Sequence, residues 1–402
     1  MSIVRRKLTK TYNEFFESEK SSGIVLIVCT FVSLLLANVL IGEKYLDFWH
    51  IYVGGLSIEH WINDGLMAVF FLLIGLELKR ELYRGELSNF KYAMLPIFAA
   101  AGGLGTPALI HFLFNRGTVT QAGIGIPMAT DIAFALGVLA LLGNRVPASL
   151  KIFLTALAVM DDLGAIIVIA VFYTAKLSTG YLFASMTVFG FLTFLNKAKV
   201  RRLFPYLIGG VMMWFFMLES GIHATIAGVL LAFTIPFTPE GSDEPSPAYK
   251  LEHFLHKPVA FGILPLFALA NTGIIIGADW AQSLTTVNSF GIIGGLVFGK
   301  PIGITIVSFI AVAARFCRLP LDLNWKHVLG AGFLGGIGFT MSIFITNLAF
   351  AADGATVNAS KMAILLASLF AGILGFTWLK LFGQPEPTDD DLDAMDFEED
   401  DD

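Results

Sequence analysis

The sequence predicts an all-α polytopic membrane protein of about twelve transmembrane helices. Three observations carry this. The 402 residues are 56% hydrophobic with a mean hydropathy of +0.74. Only 14% are charged, against roughly 25% in a soluble domain. The apolar runs that separate the charge clusters are close to the ~20 residues needed to cross a hydrocarbon core.

After a cytoplasmic N-terminal segment, 1–21, the first run, Gly23 to Ile41, holds no charge. It reads as a genuine span, too long for a cleavable signal. The segment 42–58 follows, whose "EKYLDFWHIYVGGLSIEH" region is aromatic and β-branched enough to allow strands around Gly54 and Gly55. The spans are expected at 22–41, 59–78, 93–114, 119–143, 151–175, 180–196, 204–218, 222–237, 254–276, 289–314, 327–350 and 358–382. They form one transporter domain, 22–382. Residues 383–402 have the composition of an acidic, disordered cytoplasmic tail. Cys29 and Cys317 both lie in or beside apolar runs and offer no disulfide framework or metal-ligand spacing.

Lysine and arginine set the orientation. With both termini cytoplasmic, 21 of the 26 basic residues fall in inside segments and Lys44, Arg116, Lys176 and Lys361 fall outside, as the positive-inside rule requires. The remaining one, Lys300, is the only charge between Ser289 and Ala314.

Three carboxylates share its depth. Asp161 and Asp162 stand side by side in "LAVMDDLGAIIVIAVF", and Asp131 lies midway between Arg116 and Arg145. Charges at the bilayer centre are costly and usually face a cavity in which they act. Neighbours on a helix point ~100° apart, so one aspartate lines a pathway while the other faces sideways. Desolvation and mutual repulsion both oppose their ionisation, so they titrate as one coupled unit. Such a pair can hold either protons or a hard monovalent cation. That competition is sufficient to exchange one for the other.

The backbone supports this reading. Gly123, Gly125 and Pro127 precede Ala129, Thr130 and Asp131 in span four, and Gly332, Gly335, Gly336 and Gly338 punctuate span eleven. These interrupt helices, or alternatively permit close packing. Freed carbonyls and the Thr130 hydroxyl are candidate ion ligands. Spans three to five (about 93–175) start inside and spans ten to twelve (about 289–382) start outside, so the two interruptions occupy matching places in two inverted three-helix repeats. Asp131 and Lys300 have the signs to balance the exposed helix ends.

"ATDIAFALG", "VMDDLGAI", "ESGIHATIAGV", "KLEHFLH", "ILPLFALAN", "GKPIGI" and "GGIGFTMSIFI" occur in this order. Together they resemble the NhaA family of bacterial Na+/H+ antiporters, transporters built on discontinuous helices around a mid-membrane site. The resemblance covers nearly the whole chain except the acidic tail. It implies crossing, interrupted spans four and eleven, and electrogenic, pH-regulated export of Na+ or Li+ for periplasmic protons across the bacterial inner membrane. It assigns cation and proton binding to Asp161, Asp162 and Thr130, with Na+ or Li+ on the two aspartates. Asp131 and Lys300 compensate the helix ends, and whether Lys300 also pairs with Asp161 and carries a proton stays open. Glu77, Arg80 and Glu81 after span two, and Lys250, Glu252, His253 and His256 before span nine, match the pH-sensing positions. Asp64 and His223 rank below these. The resemblance further implies a periplasmic hairpin at about 42–58 that partly holds a homodimer, contact with membrane lipid, no resident cofactor and no nucleic-acid partner.

Other readings fit less well. "GLVFGKP" with its preceding glycine has phosphate-loop spacing, but Pro301 stands where Ser or Thr would bind the metal, inside an apolar helix. An intramembrane aspartyl protease draws its carboxylates from different helices, and its GxGD string is absent. A passive cation channel needs no titrating pair at a broken helix. A Na+-coupled solute carrier would need a solute site that the sequence does not reveal.

Overall fold

The computed structural model describes residues 21–85, 90–173, 177–237, 246–277 and 280–384. The N-terminal segment 1–20, Lys176 and the tail from 385 onward lie outside the described residues.

In chain order, α1 (Ser21–Leu40) leads through α2 (Glu43–Trp49) and a hairpin of β1 (Tyr52–Val53) and β2 (Leu56–Ser57) to α3 (Ile58–Tyr83). The hairpin turns through Gly54 and Gly55, with φ of 64° and 94°, and pairs Tyr52 with Ser57 and Val53 with Leu56. Positive φ at both central residues suits the twist of the strands, and only glycine accepts it freely. Next come α4 (Phe90–Asn115), the half-helices α5 (Val119–Met128, wound as 3-10 helix) and α6 (Ile132–Ala140), then α7 (Ala148–Phe172), α8 (Thr179–Lys197), α9 (Leu203–Ser220) and the short α10 (Ile226–Thr234). The chain continues as α11 (Pro247–Thr272), α12 (Trp280–Leu284), α13 (Val287–Ala313), the half-helices α14 (Trp325–Gly335) and α15 (Phe339–Ala349), and α16 (Gly354–Phe382).

Among the described residues, α1, α3, α4, α7, α8, α9, α11, α13 and α16 are each long and apolar enough to cross a membrane. The α5/α6 and α14/α15 pairs bend by 41° and 47°, and counting each as one span gives eleven. The chain is thus an all-α polytopic membrane protein. The interval expected as an eighth continuous span, 222–237, is instead the nine-residue α10. Gly221, in the left-handed region at φ 83°, ends α9 and starts the turn that precedes it. α10 packs against α3, α8 and α9, and a helix sheltered by protein need not span the hydrocarbon on its own.

Two other boundaries move. α3 runs to Tyr83 and α11 begins at Pro247. Glu77, Arg80 and Glu81 therefore lie in the last turns of α3, and Lys250, Glu252, His253 and His256 in the first turns of α11.

The core is held by close backbone approaches at glycine. α4 and α13 cross where Gly102 meets Gly303: a Cβ on either would lie 2.2 Å from the other's carbonyl oxygen. Gly303→Ala should therefore lower stability by about 1–3 kcal/mol through overpacking. Gly105, whose Cβ would meet nothing within 4 Å, should accept alanine unchanged. Melting of the detergent-solubilised variants checks both. The glycines of the half-helices also sit against neighbours: a Cβ on Gly125 would lie 2.8 Å from the Tyr173 hydroxyl, and one on Gly336 2.3 Å from the Leu296 carbonyl. Interruption and close packing, posed as alternatives by the sequence, occur together.

Candidate functional site

The two breaks lie against one another. Leaving α5, Ala129 and Asp131 adopt extended backbone, and the Asp131 N–H donates to the Ile337 carbonyl at 2.7 Å. The Ser342 hydroxyl donates to the Ile126 carbonyl at 2.7 Å. Each break thus satisfies backbone groups that the other's missing helical turn leaves open.

Asp131 joins the two positive ends. One carboxylate oxygen caps α6 by accepting from the Phe134 N–H at 3.0 Å, while the other accepts from the Thr340 N–H at 3.1 Å and from the Thr340 hydroxyl, in the first turn of α15. A single anion therefore caps two helix N-termini, where the dipole and the unpaired N–H groups both favour negative charge.

Lys300 is aimed by a local irregularity. Pro301 has no N–H and cannot continue the i→i−4 ladder, and the preceding turn, Gly295–Gly299, is wound as π-helix, with the Lys300 N–H bonded back to the Gly295 carbonyl. Such single π turns recur at functional sites. The ammonium forms an ion pair with Asp161 Oδ2 and donates to the Thr130 hydroxyl at 2.9 Å. All three side chains are fully buried. The pairing that the sequence left open is therefore made. Lys300 reaches the negative end of α14 through Thr130, whose hydroxyl lies 2.7 Å from both Asp161 Oδ2 and the Gly335 carbonyl.

One hydroxyl proton cannot serve two acceptors. When Thr130 donates to Gly335, the Lys300 ammonium bridges the Thr130 oxygen and Asp161 Oδ2. Asp161 Oδ1 and both oxygens of Asp162 are buried without a hydrogen-bond partner. Ionised oxygens in that state are expensive, which makes them receptive to a proton or a small cation. Among the described residues no three His, Cys, Asp or Glu side chains gather into a metal cluster, so a cation here would have two carboxylates and neutral oxygens for ligands. Asp162 feels Asp161, Asp131 and Glu77 as negative neighbours and Lys300 as a positive one.

Glu77, Arg80, Glu81 and Glu252 form a second group toward the C-terminal end of α3. Arg80 pairs with the buried Glu252 and, at 3.3 Å, with Glu81. His253 is exposed and stacks on Tyr249 with ring centroids 6.4 Å apart, His256 is half-buried, and both act electrostatically on Glu252. Lys250 is exposed. A third group, at the opposite end of α3, contains Asp64 and His223. His60 lies 3.3 Å from Asp64, and a ring nitrogen of His223 lies 2.8 Å from the Tyr173 carbonyl.

Sequence reasoning missed several participants. Thr340 was legible only as a hydroxyl residue opening a half-helix, and the Gly335 carbonyl left no sequence signal. Asn63, Asn271 and Asn347, from three separate helices, share hydrogen bonds of 3.3, 2.8 and 2.5 Å, and nothing in their spacing links them. Lys79, counted only as an inside charge, is buried.

Comparison with known proteins identifies the relatives of this chain. The sequence profile of the family described as Na+/H+ antiporter 1 matches residues 13–379. A protein of Dechloromonas aromatica named Na(+)/H(+) antiporter NhaA is 68% identical over 385 residues, 96% of this chain and 99% of its own length. Proteins of the same name from Flavobacterium psychrophilum and Vibrio campbellii are 61% and 48% identical. They cover 93% and 91% of this chain, and 97% and 94% of their own lengths.

Proposed function

This chain belongs to the NhaA family of Na+/H+ antiporters, and we propose that it exports Na+ or Li+ from the cytoplasm in electrogenic, pH-regulated exchange for periplasmic protons. It is a secondary active transporter rather than an enzyme. The observation that carries the reading is the buried Asp161–Asp162 pair, with three unbonded carboxylate oxygens, beside Lys300 and Thr130 at the junction of two bent helices.

The exchange follows from competition. A monovalent cation taken up from the cytoplasm binds the two ionised carboxylates, with Thr130 supplying a hydroxyl oxygen. It is displaced on the periplasmic side by protons that neutralise the same groups. Two carboxylates that accept more than one proton per cation move net charge in each cycle. Asp131 holds its two helix ends in both half-cycles, so the half-helices shift without exposing unpaired N–H groups. Lys300 stabilises ionised Asp161 and competes with the cation for it.

The whole chain is read as twelve spans, α10 being the eighth, with inverted repeats meeting at Gly102 and Gly303 and both termini in the cytoplasm. The hairpin supplies a contact between two copies in the inner membrane. At the cytoplasmic mouth, Glu77, Arg80, Glu81, Lys250, Glu252, His253 and His256 regulate access. The Arg80–Glu252 pair, which joins α3 to α11, is the contact through which this group responds to pH.

The test is proton flux in sealed proteoliposomes under an imposed pH gradient, with Na+, Li+ and K+ added in turn at several pH values. Na+ and Li+ should dissipate the gradient, K+ should not, and the effect should fade at acid pH. No cation-dependent proton movement at any pH would overturn the proposal. Na+ movement that requires an added solute would instead indicate a coupled carrier.

A further inference from the structure

α3 carries "LKRE" at residues 78–81 near its cytoplasmic end, and adjacent Lys79 and Arg80 leave the helix about 100° apart. Arg80 reaches Glu252. Lys79 turns inward, is 4% exposed, and gives its three protons to backbone carbonyls at the end of α10: Ala232 at 3.3 Å, Phe233 at 2.9 Å and Ile235 at 2.5 Å.

The last carbonyls of a helix have no intrahelical partner. At the end of α10, Lys79 satisfies three of them, and the Asn196 side chain takes the remaining one, Thr234, at 2.8 Å. The Lys79 ammonium therefore acts as a C-terminal cap supplied by a neighbouring helix, with its charge matched to the negative dipole end. Close approach makes this reach possible. A Cβ on Gly75 would lie 2.7 Å from that of Ala232, and one on Gly228 would lie 2.1 Å from the Ala68 carbonyl.

We infer that Lys79 is a positioning residue that locks the rotation of the cytoplasmic half of α3, and thereby holds Glu77 facing the side of the helix whose charge Asp162 feels and Arg80 on Glu252. Glu77, Arg80 and Glu81 fall at i, i+3 and i+4 and share one face. Lys79 falls about 200° from Glu77 on the opposite face. Anchoring the back of the helix fixes the direction of its front. The charged groups around this point are Glu77, Arg80 and Glu81 on α3 and Glu252, His253 and His256 on α11, all of which the anchor keeps in register. The anchor thus sets the pH range over which the cytoplasmic group controls the aspartates.

This inference rests on the antiport reading, and two measurements separate them. In proteoliposomes, Lys79→Met should shift the pH profile of Na+-driven proton flux and raise the apparent KM for Na+ roughly three- to tenfold, the size of coupling carried by residues that touch neither ligand. Lys79→Arg, which can still donate to the carbonyls, should restore both. Independently of transport, maleimide labelling of Leu82→Cys, at an exposed position, should change severalfold when Lys79→Met is added to a background with Cys29 and Cys317 replaced by serine. Unchanged labelling overturns the inference, whether or not the parent moves Na+. So does an unchanged pH profile and KM in Lys79→Met, or a Lys79→Arg variant as impaired as Lys79→Met. A parent without Na+-dependent flux defeats the antiport reading, while the labelling still decides the anchor.

Discussion

Asp162→Asn should abolish Na+-dependent proton flux while leaving the protein no less thermally stable, whereas Asp161→Asn should abolish flux and also lower stability by about 3–5 kcal/mol. The asymmetry comes from partners. Neither oxygen of Asp162 receives a hydrogen bond, so replacing the carboxylate by an amide removes no favourable contact and relieves the cost of an unpartnered charge. Asp161 is the counter-ion of Lys300 and the acceptor of the Thr130 contact. Removing its charge leaves a buried ammonium uncompensated, and breaking one side of a buried pair costs about that amount. The double variant Asp161→Asn/Lys300→Gln should recover stability but not transport, because the exchange needs the carboxylate and the fold needs only charge balance. Vesicle flux and melting of purified protein check all three. Equal melting of the two single variants would contradict the pairing, and substantial exchange by either would contradict the site.

Asp131→Ala should destabilise the protein by about 1–4 kcal/mol, since one side chain caps two helices and each lost cap costs about 0.5–2 kcal/mol. Thr340→Val removes the hydroxyl contact while keeping the backbone N–H bond to Asp131, and should cost less. Asp131→Asn retains an acceptor oxygen but not the charge facing two dipole ends, so it should fall between. Flux should decline in the same order, because the half-helices lose their fixed angle at the ion site. A melting temperature for Asp131→Ala equal to that of the parent would mean that the two ends find other partners.

Much of this was present in the chain's local chemistry. Hydrophobic length located most of the membrane-crossing helices, because burial in lipid depends on short stretches read one at a time. Glycine and proline marked both breaks for the same reason: they act on their own turn of helix. The adjacent aspartates and Lys300 stood out because a charge in an apolar run is expensive wherever the run is placed. The length of the eighth helix was not legible, because apolar composition does not say whether lipid or protein will cover it.

Only the tertiary structure decided which groups meet. It placed Lys300 on Asp161 rather than Asp162, a choice between residues about 100° apart on one helix that depends on the rotation of α7 against α13. It gave Asp131 to α15 as well as α6, joined three asparagines from separate helices, and turned Lys79 from an ordinary inside charge into the cap of α10. Each of these is a contact between residues far apart in sequence; the approach at Gly102 and Gly303 brings α4 to α13, and those at Gly75 and Gly228 bring α3 to α10. Sequence determined the depth and sign of each charge; the packing of the helices determined its partner, because hydrogen bonds and ion pairs form over about 3 Å, a precision that only the assembled bundle sets.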